Sequence, residues 1–102
     1  MRKKREMPHW AAFIVCEVTE TRQISASFLA FWAQNRYQAG RAIEGMLPDN
    51  PKFVDDGGKL RPFTVLALQQ CRPDETQKYA SAYYREFSAV TGIPIEGLEP
   101  LI

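Results

Sequence analysis

Residues 10–19 read WAAFIVCEVT, and this stretch decides the fold. Its apolar run is almost unbroken as far as Glu17, and it contains the aromatic or β-branched residues Phe13, Ile14 and Val15. Such a run is typical of a strand in the middle of a sheet, covered on both faces or on one face and by a partner on the other. We therefore expect a β-sheet built around this segment.

The segment that follows predicts a second strand and then a helix. Residues 19–22 are polar and suit a hairpin turn, and residues 22–33 alternate with period two, which favours a strand. A long helix that begins near Ser27 is the alternative. We favour a helix that begins at Asn35, a good N-cap residue, and ends before Pro48. Its apolar stripe comprises Ala39, Ala42, Ile43 and Met46.

The second half of the chain predicts two further strands and a second helix. Residues 52–54 read as a short strand, residues 55–58 as a glycine turn, and residues 59–71 as an edge strand with Pro62 near its start. The period of this strand places Phe63, Val65 and Ala67 on one face. Asp74 is the expected cap of the second helix and Gly92 its terminator. The buried stripe of this helix is expected to comprise Ala80, Tyr83, Tyr84, Phe87 and Val90.

The order strand, strand, helix, strand, strand, helix predicts an α+β fold. We expect a two-layer sandwich in which an antiparallel or mixed sheet of three to four strands carries both helices on one face. We expect residues 9–102 to form a single domain and residues 1–8 to form a basic, flexible arm. With both helices on one face, the other face is left to a homodimer partner, a target protein or the apolar residues 93–102, which alternatively form an edge strand.

The charge of the chain is unevenly distributed. The formal net charge of the 102 residues is +1, but residues 1–6 contain four basic residues and one acidic residue, and so carry +3. The remaining nine basic and eleven acidic residues give −2. No apolar signal region follows the arm, and Ala11–Cys16 is too short to span a membrane. We expect a cytoplasmic protein with reduced cysteines and no membrane association.

The sequence offers little for catalysis. Nucleophilic cysteines need activation, usually by a histidine, and the chain has only His9 to serve Cys16 and Cys71. His9 has the opposite strand parity to Cys16, and nothing in the sequence brings it to Cys71, so both cysteines are interpreted as buried apolar residues. Too few ligands are present for zinc, and Asp55–Asp56 reads as a solvated turn. We expect no enzyme activity, no catalytic residues, no bound metal and no cofactor.

The second helix carries the candidate protein-binding residues. Tyr79, Tyr83 and Arg85 lie within seven positions, and tyrosine and arginine are enriched at binding hot spots. Tyr79 and Tyr83 share one flank of the helix, and Tyr84 and Phe87 share another. We expect one flank to face the sheet and the other to be partly exposed. Our leading hypothesis is a small non-enzymatic protein that binds a protein or a protein–nucleic-acid complex. Its size and lack of a catalytic motif fit a phage or mobile-element inhibitor of a host defence system, such as an anti-CRISPR protein.

The alternative hypothesis is a nucleic-acid-binding accessory or regulatory protein. The basic arm supplies phosphate-neutralising side chains, and the first helix adds two more on its polar side. The candidate contacts are Arg2, Lys3, Lys4, Arg5, Arg36 and Arg41. Against this hypothesis, the rest of the chain is mildly acidic and contains no recognised nucleic-acid-binding motif.

Overall fold

A three-stranded antiparallel sheet forms the centre of the protein, in a computed structural model that describes residues 7–18 and 23–92. Its strands are β1 (His9–Val18), β2 (Gln23–Trp32) and β3 (Phe63–Gln70), in the order β2-β1-β3. The apolar run that contains β1 therefore forms the central strand, as predicted. Its residues from Trp10 to Ile14 are all buried, which requires cover on both faces.

Two helices complete the α+β fold. Helix α1 (Arg36–Met46) begins after Asn35, whose side-chain oxygen accepts a hydrogen bond from the backbone N–H of Gln38 at 2.9 Å. Helix α2 (Thr76–Thr91) ends at Gly92, which has a φ of +81°. Glycine adopts this left-handed conformation readily because glycine lacks a Cβ. The predicted N-cap of α1, the C-terminal glycine of α2 and the strand over residues 23–32 are all confirmed.

The helices lie on opposite faces of the sheet, whereas the sequence predicted both on one face. Trp10, Ala12 and Ile14 of β1 pack with the buried stripe of α1, and Ala11 and Phe13 pack with that of α2. Because successive side chains of a strand point to opposite faces, one central strand supplies two separate cores. The apolar stripes of the helices carry no information about which face of the sheet each helix covers. The result is three layers, and no face of the described sheet lacks a helix.

Residues 51–53 form a turn of 3-10 helix instead of the predicted short strand. The side chain of Asn50 accepts a hydrogen bond from the backbone N–H of Lys52 at 3.0 Å, and this local bond competes with an extended backbone. Val54 pairs only with Leu60, as an isolated bridge across the predicted turn, where Gly58 has a φ of +80°. The sheet described here thus has three strands, and the predicted order is matched only roughly.

A bulge in β3 changes which residues share a face. Phe13 pairs with Ala67 but Ile14 pairs with Val65, so one extra residue of β3 lies between the two pairs. Phe63 and Leu68 consequently pack on the α1 side, and Ala67 packs on the α2 side. The prediction that Phe63 and Ala67 share a face is wrong because strict alternation does not pass through a bulge.

Two details at α2 also differ from the predictions. Asp74 lies in a 3-10 turn and does not cap α2; the backbone N–H of Arg72 instead bonds the Glu75 carboxylate at 3.1 Å. Val90 was expected in the buried stripe, but it is 79% exposed. Residues 1–6 of the predicted arm (residues 1–8), the hairpin turn (residues 19–22) and the tail (residues 93–102) lie outside the described residues. Pro8, the last residue of the predicted arm, accepts a hydrogen bond from the backbone N–H of Ala33 and so continues the ladder of β1 with β2.

Candidate functional site

The open edge of β2 is the longest uninterrupted strand edge among the described residues. Ala33 donates its backbone N–H to the Pro8 carbonyl at 3.1 Å. Because hydrogen-bonded and non-hydrogen-bonded pairs alternate along antiparallel strands, this bond shows which residues of β2 bond to β1. Odd-numbered residues of β2 therefore bond to β1, and the backbone groups of even-numbered residues point away from the sheet. Those residues are Ile24, Ala26, Phe28, Ala30 and Trp32.

Nothing in the sequence of β2 discourages another strand from pairing with it. Natural edge strands are commonly protected by charged side chains, proline or a bulge. The ten residues of β2 read QISASFLAFW, without charge or proline, and their register with β1 is unbroken over the full length. Ile24 is 42% exposed and Trp32 is 52% exposed, near the two ends of the strand. Both belong to the face that α2 covers, because they share parity with Phe28.

The edge of β3, by contrast, has two protective features. One is the bulge next to Ala67. The other is Arg36, whose Nη2 donates a hydrogen bond to the Leu68 carbonyl at 3.2 Å. The backbone N–H of Cys71 donates to the His9 carbonyl, so the odd-numbered residues of this half of β3 form the hydrogen bonds with β1. The carbonyl of Leu68, an even-numbered residue, therefore points to the open side of β3. A strand that docked on β3 would have to displace Arg36 and follow a bent edge.

Tyrosine side chains of α2 lie over β2. The ring of Tyr83 lies 6.0 Å from that of Phe28 on β2 and 5.9 Å from that of Phe13 on β1. Tyr79 follows on the same flank, with its ring 6.0 Å from that of Tyr83. Val90, seven positions beyond Tyr83, falls on this flank as well, since seven residues make about two helical turns. Tyr84 is buried against the sheet while Tyr79 and Tyr83 are half-buried, which agrees with the predicted division of α2 into two flanks. Tyr83 was also expected in the buried stripe, and its half-burial corrects that part of the prediction.

The hydroxyl of Tyr83 is buried and has no hydrogen-bond partner among the described residues. Burial, aided by the negative charges of nearby groups led by Tyr79, raises the pKa of this phenol above its ordinary value. A phenol in this position stays neutral near pH 7, and its buried O–H is an unsatisfied donor.

Arg85 is separated from the two tyrosines. It follows Tyr83 by two positions, about 200° around the helix, and it is exposed. The structure therefore brings Tyr79 and Tyr83 together and places Arg85 on the side of α2 that faces away from the sheet. We define the β2–α2 surface as the open backbone edge of β2 together with Ile24, Trp32, Tyr79, Tyr83 and Val90.

His9 and Cys71 meet beside this surface, a contact that the sequence reasoning missed. The Sγ of Cys71 lies 3.6 Å from Nδ1 of His9, and the imidazole packs edge-on against Trp32 with ring centroids 4.7 Å apart. Antiparallel pairing of β1 with β3 places the residue after the last of β3 beside the first residue of β1. The pair could therefore have been predicted only from knowledge of which strand pairs with β1, because no local motif indicates it.

The electrostatics of this pair oppose nucleophilic chemistry. Burial of Cys71 raises the pKa of its thiol, and the negative charge of Glu75 raises it further. The attacking species in cysteine catalysis is the thiolate, which reactive sites stabilise with positive charge. Cys16 is buried on the other face, and burial raises the pKa of its thiol too. Both cysteines are free and buried, as predicted.

Within residues 7–18 and 23–92, no group of three or more His, Cys, Asp or Glu side chains is arranged to hold a metal ion. The carboxylate of Asp55 accepts hydrogen bonds from the backbone N–H groups of Gly57 and Lys59 at 2.9 Å, so it closes its own turn. In the same residues, no helix has the length and apolar character needed to cross a membrane.

The candidate nucleic-acid contacts of α1 are each engaged within the protein. Besides its bond to β3, Arg36 places its guanidinium over the ring of Trp10, 5.9 Å from the centroid. Arg41 donates to the Tyr37 hydroxyl at 3.2 Å and lies 3.9 Å from the Glu44 carboxylate. The two arginines are five positions apart, about 140° around the helix, so they do not form one basic face. The other four candidates, Arg2, Lys3, Lys4 and Arg5, lie outside the described residues.

No family model, curated protein or solved structure matches this chain. The β2–α2 surface is accordingly assigned from its own geometry.

Proposed function

We propose that this chain is a non-enzymatic protein that acts by binding a protein partner through the β2–α2 surface. The observation that supports the proposal best is the open edge of β2, ten residues long, uncharged and unbroken in register. A strand edge is a row of backbone donors and acceptors, and an added strand satisfies them in order. The exposed side chains of Ile24 and Trp32 would supply apolar contacts at either end.

The tyrosine flank adds the features expected of a binding hot spot. Tyr79 and Tyr83 combine large apolar area with a polar tip, and tyrosine is enriched where interfaces are fully desolvated. The ring of Tyr83 packs on Phe28 of the sheet and the ring of Tyr79 packs on Tyr83, so binding would cost little side-chain entropy.

A capture experiment tests this proposal with matched variants. A tagged chain is expressed together with an untagged copy, and the proteins that it retains are identified by mass spectrometry. The double variant Ile24→Lys/Trp32→Lys places charge at both ends of the edge, and Val65→Lys/Leu66→Lys places the same charges on exposed positions of β3. Far-UV circular dichroism establishes that both variants fold.

The expected outcome is one protein retained in near-stoichiometric amount by the wild type and by the β3 variant, but not by the β2 variant. Retention that is equal for all three chains would show that the β2–α2 surface is not the binding surface. If the β2 variant alone retains its partner, the assignment of the two edges is reversed.

The narrower parts of the hypothesis stay predictions. An inhibitor of a host defence complex is one kind of protein that would bind a partner in this way. A cytoplasmic location belongs to the same proposal, and the free thiols of Cys16 and Cys71 are compatible with a reducing compartment. The nucleic-acid alternative predicts binding to a random duplex that weakens steeply with salt and disappears when residues 1–6 are removed.

A further inference from the structure

We propose that the protein bound at the β2–α2 surface is a second copy of this chain, paired antiparallel through β2 about a two-fold axis at Phe28. This inference rests on the proposed function, because it names the occupant of the same surface. The two sheets would join into one sheet of six strands. Pairing of this kind is isologous, so each copy uses the same residues.

The register of β2 is self-complementary about Phe28. Only even-numbered residues point their backbone groups outward, so an antiparallel copy must place even residues opposite even residues. With Phe28 on the axis, all five outward residues find a partner, and they exchange about ten backbone hydrogen bonds. A shift by two residues in either direction leaves outward groups unpaired at both ends.

The same register brings the exposed apolar side chains together. Ile24 and Trp32 are equally distant from Phe28, so Ile24 of one copy lies opposite Trp32 of the second copy. Paired residues of antiparallel strands share a face, and both side chains are on the face of α2. Between them, Ala26 lies opposite Ala30, where small side chains do not obstruct the approach. The two large exposed side chains of β2 thus cover each other, at both ends of the interface.

Charge favours a second copy over a charged partner. No residue from Gln23 to Trp32 is ionisable, so pairing of two identical strands places no like charges opposite each other. A charged extended peptide would find no complementary group along this edge. Self-pairing also needs no second gene product with a matching sequence.

The helices leave room for the second copy and gain contacts from it. Phe13 of β1 lies under α2, with its ring 5.5 Å from that of Phe87, and Tyr83 reaches from there towards β2. Three strand spacings separate β1 from its copy in the paired sheet, about 14 Å. Tyr79, Tyr83 and Val90 lie on the side of α2 that faces this gap. On the other face, the side chain of Arg36 in the first turn of α1 extends to the Leu68 carbonyl of β3.

The test combines molecular mass with amide hydrogen exchange on the full chain. Sedimentation equilibrium distinguishes the monomer, at 11.7 kDa, from twice that mass. In a monomer, exchange along β2 alternates, because only odd residues bond to β1. In the proposed dimer, the even amides also become protected, by at least about tenfold and increasingly with protein concentration. The amides in question are those of Ile24, Ala26, Phe28, Ala30 and Trp32.

Charge-swapped variants test the register. Ile24→Lys/Trp32→Lys and Ile24→Glu/Trp32→Glu should each be monomeric, because each places like charges opposite each other across the axis. Mixing the two variants should restore the dimer mass and the protection of the even amides. The β3 variant Val65→Lys/Leu66→Lys should remain dimeric throughout.

The inference is overturned if the chain is a monomer at about 100 μM and the exchange protection of its β2 amides alternates. It is also overturned if the Lys variant remains a dimer, or if mixing the Lys and Glu variants does not restore the dimer. If the monomeric chain still captures another protein in a manner that depends on Ile24 and Trp32, the proposed function stands and only the occupant is different. If it is monomeric and that capture is insensitive to both residues, the proposed function fails as well.

Discussion

Replacing Ile43 with alanine tests the placement of α1 against its own face of the sheet. Ile43 is 1% exposed and packs in the α1-side core with Phe53 and Leu47. The change removes three carbon atoms, which at about 0.8 kcal/mol per buried carbon amounts to about 2.4 kcal/mol. The cavity left behind adds to this loss, so we expect the free energy of unfolding to fall by about 3 kcal/mol. That is a large fraction of the roughly 5–15 kcal/mol by which small domains are stable.

Urea unfolding followed by circular dichroism and by tryptophan fluorescence measures this loss. With an m-value of about 1.5 kcal/mol per molar urea, the midpoint should fall by roughly 2 M, at one fixed protein concentration. Tyr37→Ala is the matched control, because Tyr37 lies on the same helix but is exposed, and it should shift the free energy by less than about 0.5 kcal/mol. Equal effects of the two changes, or a loss below about 1 kcal/mol for Ile43→Ala, would mean that α1 does not close this core.

Three further predictions concern local features. Asn35→Ala removes the N-cap bond of α1 and should lower the free energy of unfolding by about 1 kcal/mol in the same urea assay, whereas no change would mean that the cap bond contributes nothing. Backbone N–H groups, that of Lys59 foremost, lower the pKa of Asp55 below its unfolded value, so its contribution to stability is complete above that value and is lost as pH falls through the folded pKa. Between pH 7 and pH 3 the wild type should therefore lose more stability than Asp55→Asn, and an equal loss would contradict this assignment. Burial and the charge of Glu75 raise the pKa of the Cys71 thiol. Iodoacetamide should therefore label Cys71 more slowly in the folded protein than in urea, and the labelling rate of the folded protein should still be rising above pH 9. Equal labelling rates of the folded and unfolded protein at pH 7.5 would refute a buried thiol.

The sequence was sufficient for the features that local chemistry decides. Residues 10–15 are apolar without alternation, and such a run has no stable place except between two covering layers. Asn35 accepts from a helix N-terminus and Gly92 adopts a left-handed conformation, and both roles follow from the side chain alone. Two of the three candidate protein-binding residues were also accessible from the sequence, because their spacing places Tyr79 and Tyr83 on one flank of α2 without reference to the sheet.

The features that the sequence missed all depend on which segments meet. An apolar stripe such as Ala39 with Ile43 shows that one side of a helix is buried, but not against which face. The bulge in β3 arises from the joint register of two strands, and the composition of β3 does not encode it. His9 and Cys71 are 62 positions apart and meet only because β3 runs antiparallel beside the start of β1. Each of these is a long-range pairing, for which a single sequence has no local signal.

The opposite placement of the helices changes the reason for expecting a partner. With both helices on one face, a bare sheet face would have required cover. With one helix on each face, both faces are covered, and within residues 7–18 and 23–92 the unpaired backbone of the sheet lies at its edges. A three-stranded sheet has an edge on two of its three strands, and here β3 carries a bulge and the Arg36 contact while β2 carries neither. Water can satisfy the open N–H and C=O groups of β2, but it cannot favourably cover the side chains of Ile24 and Trp32. A strand added at this edge would pair with the backbone groups and also cover the two side chains. The binding free energy available to a partner is therefore greatest at the β2 edge.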